Sequence, residues 1–343
     1  MERYIGQISR GRNVRISADS PNDHMIITGI SGSGKSFRVA DIEKHIVEDG
    51  GTVLALDLNG THSEIDKTIC RYIVLQEDGI NINIFDLSLV DAGKESMTNF
   101  IEFVMEMLCP RQLRGNCQIA AMRKAITFAI ENKDAFSSDM EAIAHGLTEQ
   151  KENAAIGVYN YLCPILKGDI FRNSASKIEK NKINILSLQG LNARTQKQIV
   201  EILLNVLWKK IRVAGAGERH LTIVLDEFQA YDLQRGTALF QMLTEARKYG
   251  IGLLLATQTL SVFSRKELAA INQISTKLFF RQSMSDVKKS ADLIDFKCRE
   301  KWVYELERLH VGQAIAIGAL EMGGHGISRP VMTYSSCEHE LLK

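Results

Sequence analysis

The sequence predicts an α/β fold built on a mainly parallel, doubly wound central sheet. Three observations carry that prediction: short continuous apolar runs, amphipathic stretches between them, and one long interval with no strand signal. The runs are MIITG (25–29), TVLALD (52–57), RYIVL (71–75), INILSL (183–188), LTIVLDE (221–227), GLLLAT (252–257), TKLFFR (276–281) and QAIAIG (313–318). Several are apolar throughout instead of alternating, which marks strands buried on both faces of a parallel sheet. Between them, Ile199, Ile202, Leu203, Val206 and Leu207 follow i, i+3, i+4, i+7, i+8, one face of an amphipathic helix. Leu239, Met242, Leu243 and Ala246 repeat the spacing in a second helix, which Gly250 closes. Strand alternating with helix implies right-handed crossovers, with ligands at the carboxyl ends of the strands.

The third observation lies between about Glu95 and Leu166, where ESMTNFIEFVMEML, QIAAMRKAITFAI and a weaker third segment read as helices. We therefore expect an all-helical insertion over 95–170, inside a core made of 1–94 and 171–343. The polar run RNSASKIEKNK (172–182) reads as a loop returning to that core.

Composition narrows the class. The chain has 343 residues, 45% hydrophobic and 24% charged, which fits one sizeable core plus a satellite and argues against disorder. A formal net charge of +1 gives no global field for nucleic acid, so any such contact must be local. The six cysteines (Cys70, Cys109, Cys117, Cys163, Cys298 and Cys337) form no CxxC pair and no zinc pattern, and read as reduced thiols. The charged N-terminus lacks a leader's apolar stretch, and the longest apolar runs fall short of a membrane span, so a soluble, cytoplasmic protein is expected.

The sharpest motif is Gly29-Ile30-Ser31-Gly32-Ser33-Gly34-Lys35-Ser36, a G-x-x-x-x-G-K-[ST] phosphate loop between a strand and a helix. Its glycines let the backbone curl round a β-phosphate, the helix N-terminus adds a favourable dipole, and Lys35 neutralises β/γ oxygens. Gly29, Ser31, Gly32, Ser33, Gly34, Lys35, Ser36 and Phe37 are the candidate nucleotide contacts, and the Ser36 hydroxyl is a candidate ligand for Mg²⁺. His24, ahead of the strand, is read as structural.

LTIVLDE ends in two carboxylates. At the carboxyl end of a buried strand, Asp226 can reach the Mg²⁺ shell while Glu227 polarises a water aimed at the γ-phosphate. IGLLLATQT ends in Gln258, an amide able to bond both that water and the γ-phosphate. Its strand is expected between those of the phosphate loop and the acidic pair.

With these motifs in order the chain resembles the HerA/FtsK superfamily, its HerA branch above all, together with the conjugative type IV secretion ATPases. The resemblance spans most of 20–335 and rests on HMIITGISGSGKS, VLALDLNGTHSEI, NINIFDLS, ILSLQGLNARTQKQIVEILLNVLW, IVLDEFQAY, TEARKYGIGLLLATQTL and VGQAIAIG. It implies a RecA-like core with a helical insertion, assembly into a hexameric ring, Mg-ATP hydrolysis at subunit interfaces, and an arginine finger from a neighbour. Arg247 is the first candidate for that finger and Arg281 the second; each also reads as a surface salt-bridge partner. Where family members usually have Asp-Pro-His-Gly-Glu, this chain has Asp57-Leu58-Asn59-Gly60-Thr61. Asp57 is retained as a group near the metal's water shell, while the glutamate is missing. Because the first core strand begins at Met25, the N-terminal β-barrel of archaeal members is expected to be absent.

Three functions fit. The first is a ring motor that moves double-stranded DNA through a channel lined by AYDLQRG and TLSVFSRKE, with Arg235, Arg265 and Lys266 on phosphates. The second is an ATPase of conjugation or secretion. The third is a nucleotide-controlled scaffold for a nuclease or effector, as in antiphage defence. A translocase working with a nuclease or effector partner would unite the first and third.

Overall fold

The computed structural model describes residues 3–9, 11–60, 62, 68–81, 96–108, 115–168, 170–171, 175, 177–217 and 220–335. Cys109, Cys337, Thr61, most of NINIFDLS and part of the 172–182 run lie outside them. The strands are β1 (Arg3–Gln7), β2 (Asn13–Ile16), β3 (Met25–Thr28), β4 (Thr52–Asp57), β5 (Cys70–Val74), β6 (Ile183–Ser187), β7 (Leu221–Leu225), β8 (Ile251–Thr257), β9 (Thr276–Phe279), β10 (Ala314–Ile317), β11 (Leu320–Met322), β12 (His325–Ile327) and β13 (Val331–Thr333). The α-helices are α1 (Lys35–Glu48), α2 (Met97–Leu108), α3 (Asn116–Glu131), α4 (Asp139–Thr148), α5 (Asn153–Leu166), α6 (Ala193–Ala214), α7 (Ala238–Glu245), α8 (Arg265–Ile271), α9 (Val287–Asp295) and α10 (Arg299–Glu307). Two compact units contain them: Met1–Tyr72 with Ile178–Gln189 and Ala216–Lys343, and Ile73–Lys177 with Gly190–Gly215.

The first unit is built on a nine-stranded sheet in the order β13-β10-β9-β3-β8-β7-β4-β6-β5. Pairing is parallel from β9 through β3, β8, β7 and β4 to β6, while β10 runs antiparallel to β9 and β13. All four residues of β3 and all seven of β8 are buried, which explains their unbroken apolar character. Parallel pairing brings the carboxyl ends of β3, β4, β7 and β8 to one edge.

Sequence pattern missed a second sheet, β1-β2-β11-β12, antiparallel and four-stranded. Its strands are three to five residues long, and β2 alternates between half-buried (Asn13, Arg15) and buried (Val14, Ile16) positions. Tyr4 of β1 donates to Asp41 Oδ2 at 2.9 Å and stacks on His45, both on α1. Arg38, fully buried on the same helix, donates to the carbonyls of Ile5 and Gly312 and to the hydroxyls of Thr333 and Ser335. One guanidinium therefore ties the helix after the phosphate loop to both sheets.

The second unit packs α2 to α5 with α6. Gly146 on α4 permits a close crossing: a Cβ there would lie 3.1 Å from the Ala125 backbone of α3. Two helices, α4 and α5, occupy the stretch in which pattern gave one weak segment, because Gly146, Gly157 and the internal Pro164 dilute their periodicity. Lys209 Nζ of α6 lies 3.8 Å over the Phe103 ring and Arg194 Cζ 4.1 Å over Tyr161, cation–π contacts of the charged ends. Among the described residues Cys117, Cys163 and Cys298 are free thiols, and no helix is long and apolar enough to cross a membrane.

Candidate nucleotide site

The loop from Gly29 to Gly34 leaves β3 and enters α1 at Lys35. Two of its glycines are required by space. A Cβ on Gly29 would sit 2.6 Å from Phe280 Cβ, and one on Gly34, whose φ is 99°, would sit 2.8 Å from the Gly312 amide nitrogen. The loop is pinned on both sides: Ile30 N donates to the Arg281 carbonyl at 2.8 Å, and Gly312 N to the Ser33 carbonyl at 3.0 Å. Lys35 is buried, with Nζ 2.9 Å from the Ile30 carbonyl. Burial lowers its pKa, and Asp226 and Glu227 pull in the opposite direction, so all three groups share one field. Ser31 and Ser36 are exposed and Phe37 half-buried at the mouth of the loop.

Asp226 and Glu227 follow β7, two strands from β3 in the sheet. Glu227 N donates to Asp226 Oδ1 at 2.8 Å. Glu227 adopts a left-handed backbone, φ 51° and ψ 45°, uncommon for a side chain of this size. Both of its carboxylate oxygens are engaged: Gln258 donates Nε2 to Oε1 at 2.5 Å, and Gln229 donates to Oε2. β8 lies between β3 and β7, the strand order expected from sequence, and Gln258 directly follows it.

Asp57 ends β4, beside β7. Its carboxylate accepts from the backbone amides of Asn59 (3.2 Å), Gly60 (2.8 Å) and His62 (3.1 Å), so it organises its own turn. His62 bridges Asp57 and the buried Glu43 of α1, with Nε2 3.2 Å from Glu43 Oε1. Burial pulls the imidazole pKa down, but the two carboxylates outweigh it and hold His62 well above the usual histidine range. Tyr231 is buried with no hydrogen-bond partner for its hydroxyl among the described residues; burial first, then Asp226, Asp57 and Glu227, raise its pKa.

The side chains of the two arginines named from sequence make no hydrogen bond to this cluster among the described residues. Arg247 is exposed in the 3₁₀ turn Ala246–Tyr249, and Arg281 is exposed after β9, contributing its backbone carbonyl to the phosphate loop. Neither forms an ion pair among the described residues. Gln229, Tyr231, Glu43 and His62 were missed as site neighbours. Only Gln229 left a trace in sequence, two positions beyond Glu227 where a tight turn returns the side chain to the carboxylate. His24 is buried, and its Nδ1 accepts from Leu253 N at 3.1 Å, a purely structural bond.

A parallel sheet with a glycine loop after β3, two carboxylates after the strand two places away and an amide on the strand between defines a RecA-like P-loop fold. The chain belongs to the family described as Helicase HerA, central domain, which its residues 3–207 match. It is 22% identical over 339 residues to the DNA double-strand break repair helicase HerA of Saccharolobus solfataricus, covering 91% of this chain and 65% of that protein. A probable helicase of Methanocaldococcus jannaschii is also 22% identical, with 92% and 64% covered. The chain thus spans just under two thirds of these relatives. Among solved structures, VirB4 of Thermoanaerobacter pseudethanolicus superposes with a TM-score of 0.73 at 16% identity, covering 98% of this chain and 96% of that one. The plasmid coupling protein TrwB with ADP and Mg²⁺ gives 0.65 at 13%, with 94% and 86% covered. These likenesses are of fold.

Proposed function

We propose that the chain is a Mg-ATP-hydrolysing ring motor that moves double-stranded DNA, working with a nuclease or effector partner. The carrying observation is the convergence at one sheet edge of Lys35, the Asp226–Glu227 pair and Gln258. Lys35 and the backbone of 29–36 would hold the phosphates, with Phe37 beside them. The hard oxygen donors Ser36 and Asp226 suit Mg²⁺, which takes one or two protein oxygens and keeps water and phosphate for the rest. Asp57 would lie near that water shell. The ion neutralises phosphate charge when bound. Glu227 would accept the proton of the attacking water, and Gln258 would orient that water.

The remaining parts of the reading are a homo-hexamer, a cytoplasmic location, Arg247 or Arg281 as the finger from the next subunit, and Arg235, Arg265 and Lys266 towards DNA. The organisation retained is a core of 1–94 and 171–343 with 95–170 inserted. The HerA relatives, named as double-strand break repair helicases, support DNA as cargo.

The test is steady-state ATP hydrolysis with and without linear duplex DNA across a salt series. Stimulation that fades as salt rises is expected of a motor gripping phosphates. Hydrolysis indifferent to DNA, or appearing only with a partner protein, would favour a nucleotide-controlled scaffold.

A further inference from the structure

Glu227 carries the chemistry proposed above, yet a carboxylate on a left-handed backbone position has to be held in place. Gln258 occupies Oε1 and Gln229 occupies Oε2. Gln229 is itself oriented from the far side, because Thr257 Oγ1 lies 2.7 Å from its Oε1. The carboxylate only accepts, so the NH₂ of Gln229 must face Glu227, which leaves its Oε1 to accept from the Thr257 hydroxyl. Thr257 has a single hydroxyl proton and a second acceptor within reach, the Thr259 carbonyl at 3.0 Å. Thr259 in turn donates to the buried Asp286 at 2.6 Å and is bonded to Ser261 in the loop after β8. A donor shared between Gln229 and the Thr259 carbonyl of that loop makes the hold on Glu227 depend on where the loop sits.

We propose that Gln229 is a positioning residue for the hydrolytic step, holding the second oxygen of Glu227, and that Thr257 sets its orientation. The proposal rests on the assignment of Glu227 as the base. Gln229 does not touch nucleotide in this role, so its loss should act on turnover and not on binding. An amide donating to a carboxylate is a charge-assisted bond, and losing its direction should slow the step about tenfold.

The experiment is a double-mutant cycle on the full chain, reading kcat and KM for ATP in wild type, Gln229→Leu, Thr257→Val and the double variant. Glu227→Gln is run alongside, and affinity for a fluorescent ATP analogue reports folding. Each single variant is expected to lower kcat about tenfold with KM within about twofold, and the double variant to fall no further than either. Gln229→Met replaces Gln229→Leu if the latter loses analogue binding. Inactive Glu227→Gln beside an unchanged kcat in Gln229→Leu would overturn the proposal while leaving the base assignment intact. Losses that multiply to about a hundredfold would overturn the Thr257 link, since independent sites add in free energy. Wild-type turnover in Glu227→Gln would remove the base assignment and this proposal together.

Discussion

Gln258 Nε2 and Glu227 Oε1 are 2.5 Å apart, so the amide at the end of β8 is hydrogen-bonded to the carboxylate that follows β7. The second N–H and the carbonyl oxygen of the same amide are left to orient an attacking water. Gln258→Ala is therefore expected to reduce kcat roughly ten- to a hundredfold, with nucleotide affinity retained. Stopped-flow binding and steady-state turnover separate the two. Equal losses in both would place Gln258 on the nucleotide and not on the base.

Lys35→Ala should abolish binding of an ATP analogue, since the only buried ammonium in the loop would be gone. Glu227→Gln should bind it normally and lose about a hundredfold or more in turnover. Isothermal titration and phosphate release report the pair. Tight binding by Lys35→Ala would contradict the placement of the phosphates.

The finger assignment separates by subunit mixing. If Arg247 or Arg281 acts from a neighbour, alanine at that position abolishes hydrolysis while nucleotide still binds. Mixing the Arg variant with Lys35→Ala then restores partial activity, because some interfaces regain a complete site. Activity that stays at zero over a full range of mixing ratios would refute action in trans.

Buried His24 gives stability a pH dependence whose sign follows from its environment. Burial, reinforced by Arg3, depresses its pKa from 6.5 to about 4. A depressed folded-state pKa favours the neutral ring in the folded protein, so its contribution is complete above about 6.5 and is lost as pH falls towards 4. The whole window is worth about 3 kcal/mol. His24→Gln keeps an acceptor for Leu253 N–H and removes the titration, so its urea midpoint should fall less between pH 7.5 and 4.5 than that of wild type. Parallel declines would exclude His24 as the source.

Arg38→Met should destabilise the first unit by about 3 kcal/mol, because the Ile5 and Gly312 carbonyls lose a charged donor inside the core. Urea unfolding measures this. A loss under about 1 kcal/mol would mean that water replaces the guanidinium.

Much of this site was legible in order. Continuous apolar runs gave away the parallel strands, and G-x-x-x-x-G-K-S, LDE and the glutamine after LLLAT fell at strand ends where parallel pairing gathers them. The four-stranded sheet was not legible, since its strands are too short for a period and carry charges on their open faces. The split of the third helical segment was hidden by Gly146, Gly157 and Pro164.

By itself the sequence determined which residues form the glycine loop and which follow the strands, because local period and glycine spacing depend only on neighbours along the chain. Tertiary structure alone decided that Gln229 holds Glu227, that His62 lies between Glu43 and Asp57, and that Arg38 serves two sheets. The hydrogen bonds of Arg38 and His62 join residues 19 to 297 positions apart or bridge separate elements, and buried polar groups take whichever partners the packed backbone presents. No pattern along the chain records that choice.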